Sequence, residues 1–249
     1  MKKLSWITGI LVFAAVLLAA LGSVCGAVDQ MATDQNFYGG MSRAAVAKYL
    51  GVEADPQIST KITEYIGLTD AEQDAFAMDM AAFMAGDSNA LRADILNEKE
   101  QQHMLDVRSL TQGAAGMSKT YLAVAAVLAV IAAWTAAKIE KRRHMPKLVG
   151  LLAAVGVIMM LVSSVTGDIS ALGFDKVFVN MHESLFTNDL WLMNPETDIL
   201  IRMMPQELFE QALLNAASIA LRLMVVSMLM LGALHIVIER MIRRHVVKG

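Results

Sequence analysis

Four apolar runs constrain this chain before anything else does. Leu4–Ala27, Thr120–Ala137, Leu148–Gly167 and Leu221–Ile238 each come near the ~20 residues a helix needs to cross a ~30 Å hydrocarbon core. Lipid offers no hydrogen bonds, so a spanning run must satisfy its backbone internally, as a helix does. Composition agrees. The chain is 56% hydrophobic and 18% charged, with a mean hydropathy of +0.49, and a soluble surface needs more polar area than that. The expected fold class is all-α: a polytopic membrane protein with four transmembrane helices and a helical extracytoplasmic region. No nucleic-acid partner is expected.

The first run follows Lys2 and Lys3, and Cys25-Gly26-Ala27 faintly resembles a small-x-small cleavage site, so a signal peptide is one reading. Its apolar core exceeds the usual ~7–15 residues, which favours a retained helix. Cys25 is the only cysteine, so no internal disulfide forms. A packing role suits it.

Charge placement gives the orientation. The ends "MKK" and "ERMIRRHVVKG" and the linker "KIEKRRHMPK" are basic and are expected on the cytoplasmic side. Residues 28–118 and 168–213 then face outward, and they hold 14 and 8 of the 24 acids. An even number of spans places both termini in the cytoplasm. The expected organisation is helix 1 over 1–27, an extracytoplasmic helical region over 28–118, and helices 2 and 3 over 119–167 around a basic linker at 138–147. An interfacial segment over 168–213 follows, then helix 4 and a basic tail over 214–249.

Within 28–118, "TDAEQDAFAMDMAAFMAG" opens with Thr69 and Glu72 in capping-box spacing and closes at Gly86. Phe76, Met80, Phe83 and Met84 form its apolar stripe. A second helix is expected to start near Asp87-Ser88, with "TQGAAGMS" connecting it to the next span. In the outer segment, Phe174, Val177, Phe178, Met181, Leu185 and Phe186 recur at helical spacing, as suits a helix lying in the membrane interface. "PQELFEQALLNAASIALRLMVV" reads as one helix running into the last span. Arg222 lies eighteen residues before Arg240, about 27 Å at helical rise. It should snorkel at the outer interface or hold a lipid carbonyl or headgroup.

Of five histidines, His144, His235 and His245 need no more than solvated or packing roles. His103 and His182 face outside. His103 lies 16 residues before Lys119, and His182 lies 15 after Gly167, so both can reach the headgroup-to-acyl boundary. Glu100, His103 and Asp106 follow i, i+3, i+6 spacing, which brings an imidazole between two carboxylates on one helix face. A neighbouring carboxylate orients such a ring and supports a general base; a solvated helix face is the plainer reading. "NMHESLFTNDLWLMNP" surrounds His182 with aromatics and acids. His103, His182, Glu100, Asp106, Glu183 and Asp189 offer metal ligands in principle, but there is no HExxH motif and no close histidine pair, so neither a metal nor another cofactor is expected. Ser184 and Cys25 make poor nucleophiles. A shared histidine site requires the two rings within roughly 8 Å, given ~3 Å hydrogen bonds on each side.

The two clusters together resemble a bacterial integral-membrane family typified by the lipoprotein intramolecular transacylase. "HMLDVR" at 103–108 carries the resemblance, with Phe178, His182, Phe186, Trp191, Pro195, Asp198, Leu200-Ile201 and Pro205. Family members often carry more aromatics where this chain has Met181 and Leu185, which bears on acyl-chain preference. The resemblance implies an enzyme of the bacterial cytoplasmic membrane, active on its extracytoplasmic side. Its substrate would be a lipoprotein whose N-terminal cysteine carries a diacylglyceryl thioether. The sn-2 acyl chain would move to the cysteine α-amine, giving the lyso-form. An α-amine of pKa ~8 must lose a proton to attack, and an imidazole of pKa ~6.5 is a suitable base. His103 and His182 would then be base and acid in an unassigned order. Asp106 would orient His103, and Arg108 or Asn188 would polarise the ester. Phe186 and Trp191 would seat the loop in the bilayer interface, and Asp198 would cap or tether it. The alternatives are a metal-dependent membrane hydrolase at the same residues and a non-enzymatic envelope chaperone or sensor.

Overall fold

The computed structural model describes residues 2–89, 91–92, 94–137, 154–155, 158 and 173–248. The expected third span Leu148–Gly167 and the linker 138–147 lie essentially outside the described residues. No strand occurs among those described. The helices are α1 (Lys2–Ala32), a π-helical turn (Phe37–Met41), α2 (Ser42–Tyr49), α3 (Ile58–Ile66), α4 (Asp70–Ala85), α5 (Glu98–Ala137), α6 (Phe174–Leu185), α7 (Ile199–Met203) and α8 (Gln206–Lys248). Within α1, α5 and α8, the stretches Trp6–Ala32, Glu98–Ala137 and Gln206–Ile242 are long and apolar enough to cross a membrane. The 40 residues of α5 measure about 60 Å, twice the thickness to be crossed, and only Thr120–Ala137 is continuously apolar. His103 therefore lies on its polar N-terminal part, outside the spanning stretch.

The chain divides into two compact units. The first comprises Met1–Ala27, Gly116–Asp168 and Ser218–Gly249. Here α1 and α5 meet through small residues. Ala15, Ala19 and Ala20 of α1 are buried, as are Ala125, Ala129, Ala132 and Ala133 of α5. Such side chains let helix backbones approach closely without a hydrophobic drive between them. A Cβ on Gly22 would sit 3.1 Å from Leu122 Cγ and 3.2 Å from the Ser118 carbonyl oxygen. Two polar contacts fix the register: the Thr8 and Thr135 hydroxyls lie 2.8 Å apart, and Ser118 Oγ donates to the Gly22 carbonyl at 2.8 Å.

The second unit comprises Val28–Ala115 and Ile169–Ala217. Its core is built on α4. Thr69 accepts from the Glu72 backbone while the Glu72 carboxylate accepts from the Thr69 backbone, so the capping box forms as the sequence predicts, and Gly86 closes the helix with a φ of 90°. Phe76, Met80, Phe83 and Met84 are all buried, against Val46 of α2, Ile62 and Ile66 of α3, Met104 of α5, Leu200 and Met203 of α7, and Leu208 of α8. Burying each of these large side chains contributes about 1.5–3 kcal/mol.

Two sequence expectations need correction. The helix after Gly86 begins not at Asp87-Ser88 but at Glu98, and "TQGAAGMS" is no connection, because α5 runs through it unbroken. The physical reason for the late start is a second capping arrangement. Asn97 Oδ1 accepts the Glu100 backbone N–H at 3.0 Å, and Glu100 Oε2 accepts that of Asn97 at 2.8 Å. Glu100 Oε1 also accepts the Leu200 backbone N–H at 2.6 Å, tying α7 to the start of α5. Removing this carboxylate strands two backbone donors, one of them buried. Glu100→Ala should lower stability by about 3 kcal/mol, read as a depressed melting temperature in detergent micelles; an unaltered melt would contradict the assignment.

Candidate active site

His103 and His182 reach the site on different helices. His103 stands on the second turn of α5, whose start is fixed by Asn97 and Glu100. His182 is the only buried residue of α6. Their exposures are 7% and 8%, and their ring centroids lie 6.2 Å apart at an interplanar angle of 28°. Aromatic rings enclose them. Phe186 lies 5.2 Å from His103 and 5.6 Å from His182, Trp191 lies 5.0 Å from His182, and Phe178 lies 4.1 Å from it.

Burial makes both imidazoles hard to charge. It pushes the His103 pKa down to about 4, helped by the adjacent His182; the Asp106 carboxylate pulls weakly the other way. Burial also lowers His182, partly offset by its bond to the Phe178 carbonyl. That bond, 2.8 Å from Nδ1, selects a tautomer. A carbonyl can only accept, so in the neutral ring Nδ1 carries the proton and Nε2 carries the free lone pair. His103 Nδ1 is buried without a hydrogen-bond partner among the described residues.

The loop 186–198 covers the pair and is tied down at several points. Asn188 Nδ2 donates to Asp106 Oδ2 at 2.9 Å. Lys99 Nζ donates to the Leu192 carbonyl and pairs with Asp198 at 3.4 Å. Asp198, 4% exposed, also accepts from Asn194 N at 2.8 Å, Thr197 Oγ1 at 2.9 Å and Asn97 Nδ2 at 3.0 Å. Burial works against its ionisation, but these hydrogen bonds outweigh it and hold the carboxyl below the ordinary carboxylate range.

Of the residues singled out in the sequence, the structure brings His103, His182, Phe186 and Trp191 into one cluster, with Asp106 and Asn188 joined beside it. Phe178 touches His182 and Asp198 anchors the loop; Glu100, Arg108 and Arg222 are engaged elsewhere. Glu100 does not flank His103, because both its oxygens accept backbone N–H groups. Arg108 turns toward α4, its guanidinium 4.4 Å above the Phe83 ring and bonded to Asn89 Oδ1. Arg222 belongs to the other unit and donates to Ser218 at 3.0 Å. Among the described residues no three His, Cys, Asp or Glu side chains are grouped to hold a metal ion. Sequence reasoning missed Asn97 and Lys99. Asn97 was findable, since Asn followed by Glu three residues later is a helix-start signal.

Fold and site thus define an all-helical membrane protein with a buried, uncharged histidine pair in an aromatic enclosure. The family model described as lipoprotein intramolecular transacylase Lit matches residues 11–209, a stretch that includes both histidines. This chain belongs to the lipoprotein intramolecular transacylase family. Among solved structures it is similar to the membrane-integral lipoprotein intramolecular transacylase of Bacillus cereus, at 18% identity and a TM-score of 0.62, covering 97% of this chain and 100% of that one. A variant of the same protein with a histidine-to-alanine substitution matches at 20% identity and a TM-score of 0.56, over 91% and 94% of the two chains. No curated protein matches the sequence.

The lowered imidazole pKa values carry a stability consequence with a definite sign. An unfolded imidazole titrates near ~6.5, so below that pH the unfolded chain binds protons that the folded one resists. The stabilisation is complete above ~6.5 and is lost as pH falls toward about 4. Melting temperature should therefore decline over that window, and His103→Phe should flatten the decline.

Proposed function

We propose that this protein moves the sn-2 acyl chain of a diacylglyceryl-cysteine lipoprotein onto the α-amine of that same cysteine, leaving the lyso-form. The observation that carries this reading is the uncharged histidine pair, 6.2 Å apart, with His182 Nε2 as an available lone pair. Family membership supports acyl transfer over a metal-dependent hydrolase and over a chaperone or sensor.

The substrate brings both nucleophile and ester, so the protein need supply only positioning and proton handling. Holding the amine against the ester gives the proximity advantage of an intramolecular reaction. In the first step the amine nitrogen attacks the ester carbonyl carbon. A C–N bond forms, and the N–H proton passes to His182 Nε2. The resulting imidazolium returns that proton to the glycerol oxygen as the C–O bond breaks. His103, neutral at working pH, hydrogen-bonds the carbonyl oxygen while negative charge develops there, as a neutral imidazole can. Asp106 and Asn188 hold the covering loop against α5. Trp191 and Phe186 exclude water, and their rings suit the interface between headgroups and acyl chains. Exposed Met181, Leu185 and Leu192 offer apolar surface to lipid beside the pair.

We place the site on the extracytoplasmic side of a bacterial cytoplasmic membrane, with both termini in the cytoplasm. The basic termini and linker, and the 22 of 24 acids in residues 28–118 and 168–213, support that orientation.

The test is expression of His103→Ala and His182→Ala in a bacterium lacking its own enzyme, with lipoprotein N-termini read by mass spectrometry. Wild type should yield N-acyl, S-monoacylglyceryl termini. Each variant should lose at least ~100-fold of that product, as expected for removal of a general base or an oxyanion donor. Lyso-form product persisting in both variants would overturn the reading.

A further inference from the structure

Helix α6 carries His182 yet has almost no core of its own. None of its side chains belongs to the described apolar core or packs against it, and its only buried residue is the histidine. Its start at Gly173 has no side-chain cap. What anchors the buried face of α6 is a row of rings. His182 packs on Phe178 at 4.1 Å with the rings tilted by 47°, and Phe178 packs on Phe209 of α8 at 5.1 Å with a tilt of 55°. Phe209 packs against the core and meets Phe37 edge-on at 6.4 Å. Phe37 meets Tyr38 at 4.9 Å, and the Tyr38 hydroxyl is tied to the Ala32 carbonyl at 2.9 Å. The row ends in a buried, hydrogen-bonded tyrosine in a π-helical turn, a fixed support.

We propose that Phe209 is a positioning residue for His182, acting through Phe178. Phe178 touches the histidine twice: its ring packs against the imidazole at a tilt, and its carbonyl holds the Nδ1 proton. Among the described residues, Phe209 is the one ring that connects Phe178 to the core. Phe209 therefore sets where the imidazole sits and which nitrogen presents its lone pair, without touching a reacting atom. The assignment to catalysis rests on the transacylase reading; the assignment to His182 geometry does not.

The experiment pairs side-chain nitrogen NMR of the full-length, micelle-embedded protein with transacylation kinetics, for wild type, Phe209→Ala, Phe209→Leu and Phe209→Tyr. In wild type the His182 signals should report an Nδ1–H tautomer titrating below ~6.5. In Phe209→Ala the tautomer preference should be lost and the midpoint should move up toward the ordinary imidazole value. Turnover should drop ~10- to 100-fold, the scale of a small misplacement of a reacting group, with the folded fraction unchanged. Phe209→Tyr should restore both readouts, and Phe209→Leu, milder should the alanine variant fold poorly, should fall between. The proposal is overturned if Phe209→Ala, or Phe209→Leu in its place, keeps the wild-type tautomer and midpoint. It is equally overturned if activity falls only in step with the folded fraction. Should wild type make no lyso-form product, the functional reading fails, and the NMR signals still decide whether Phe209 governs His182.

Discussion

The Glu100 carboxylate is the interaction on which the site's geometry depends. It accepts two backbone N–H groups, one at the start of α5 and one at the start of α7. A carboxylate holding backbone donors is a charge-assisted arrangement, roughly twice as strong as a neutral one. It settles where α5 begins and hence how His103 is presented. It also fixes Leu200, two residues beyond Asp198, so the anchor of the covering loop and the helix bearing His103 share one support. The loop, the histidine and the apolar core meet within a few residues of it.

The hydrogen bonds of the covering loop follow the same logic of committing polar groups. Asp198 takes three hydrogen bonds and an ion pair from Lys99. Asn188 spends its amide on Asp106 and its carbonyl on the Leu190 backbone. Asn188 and Asp198 thus spend their polar groups inside the protein, while the rings of Phe178, Phe186 and Trp191 pack on the histidines. Burial then does to the imidazoles what it does to any cation, disfavouring the charged form.

Much of this was legible in the sequence, and the failures have identifiable causes. The capping box at Thr69 and the stop at Gly86 follow from side-chain chemistry within a few residues, so α4 forms as read. The start of α5 was misplaced because Asp87-Ser88 offers the same residue types as a cap; what decided the matter was Asn97 with its partner Glu100 and the distant Leu200. The pairing of His103 with His182 emerged from their reach beyond the spans and from two polar clusters in an apolar chain. Spacing alone misjudged the neighbours. Glu100 and Asp106 do share the helix face of His103, but Glu100 gives both oxygens to backbone N–H groups, and Asp106 takes the Asn188 amide while still acting weakly on the His103 charge. Arg108, five residues on from His103, rotates away to the Phe83 ring. The aromatic support behind His182 was beyond sequence reading, because Phe37, Phe178 and Phe209 come together only in the folded chain.

The enclosure of the histidines has a consequence for the physiology of such an enzyme. Respiring cells export protons, so the outer face of their membrane, where we place the site, can become acidic just when energy supply is high. A solvent-exposed imidazole would then gain charge and stop accepting protons. Rings buried among phenylalanine and tryptophan resist that change. Packing alone would insulate lipoprotein maturation from swings in the proton gradient.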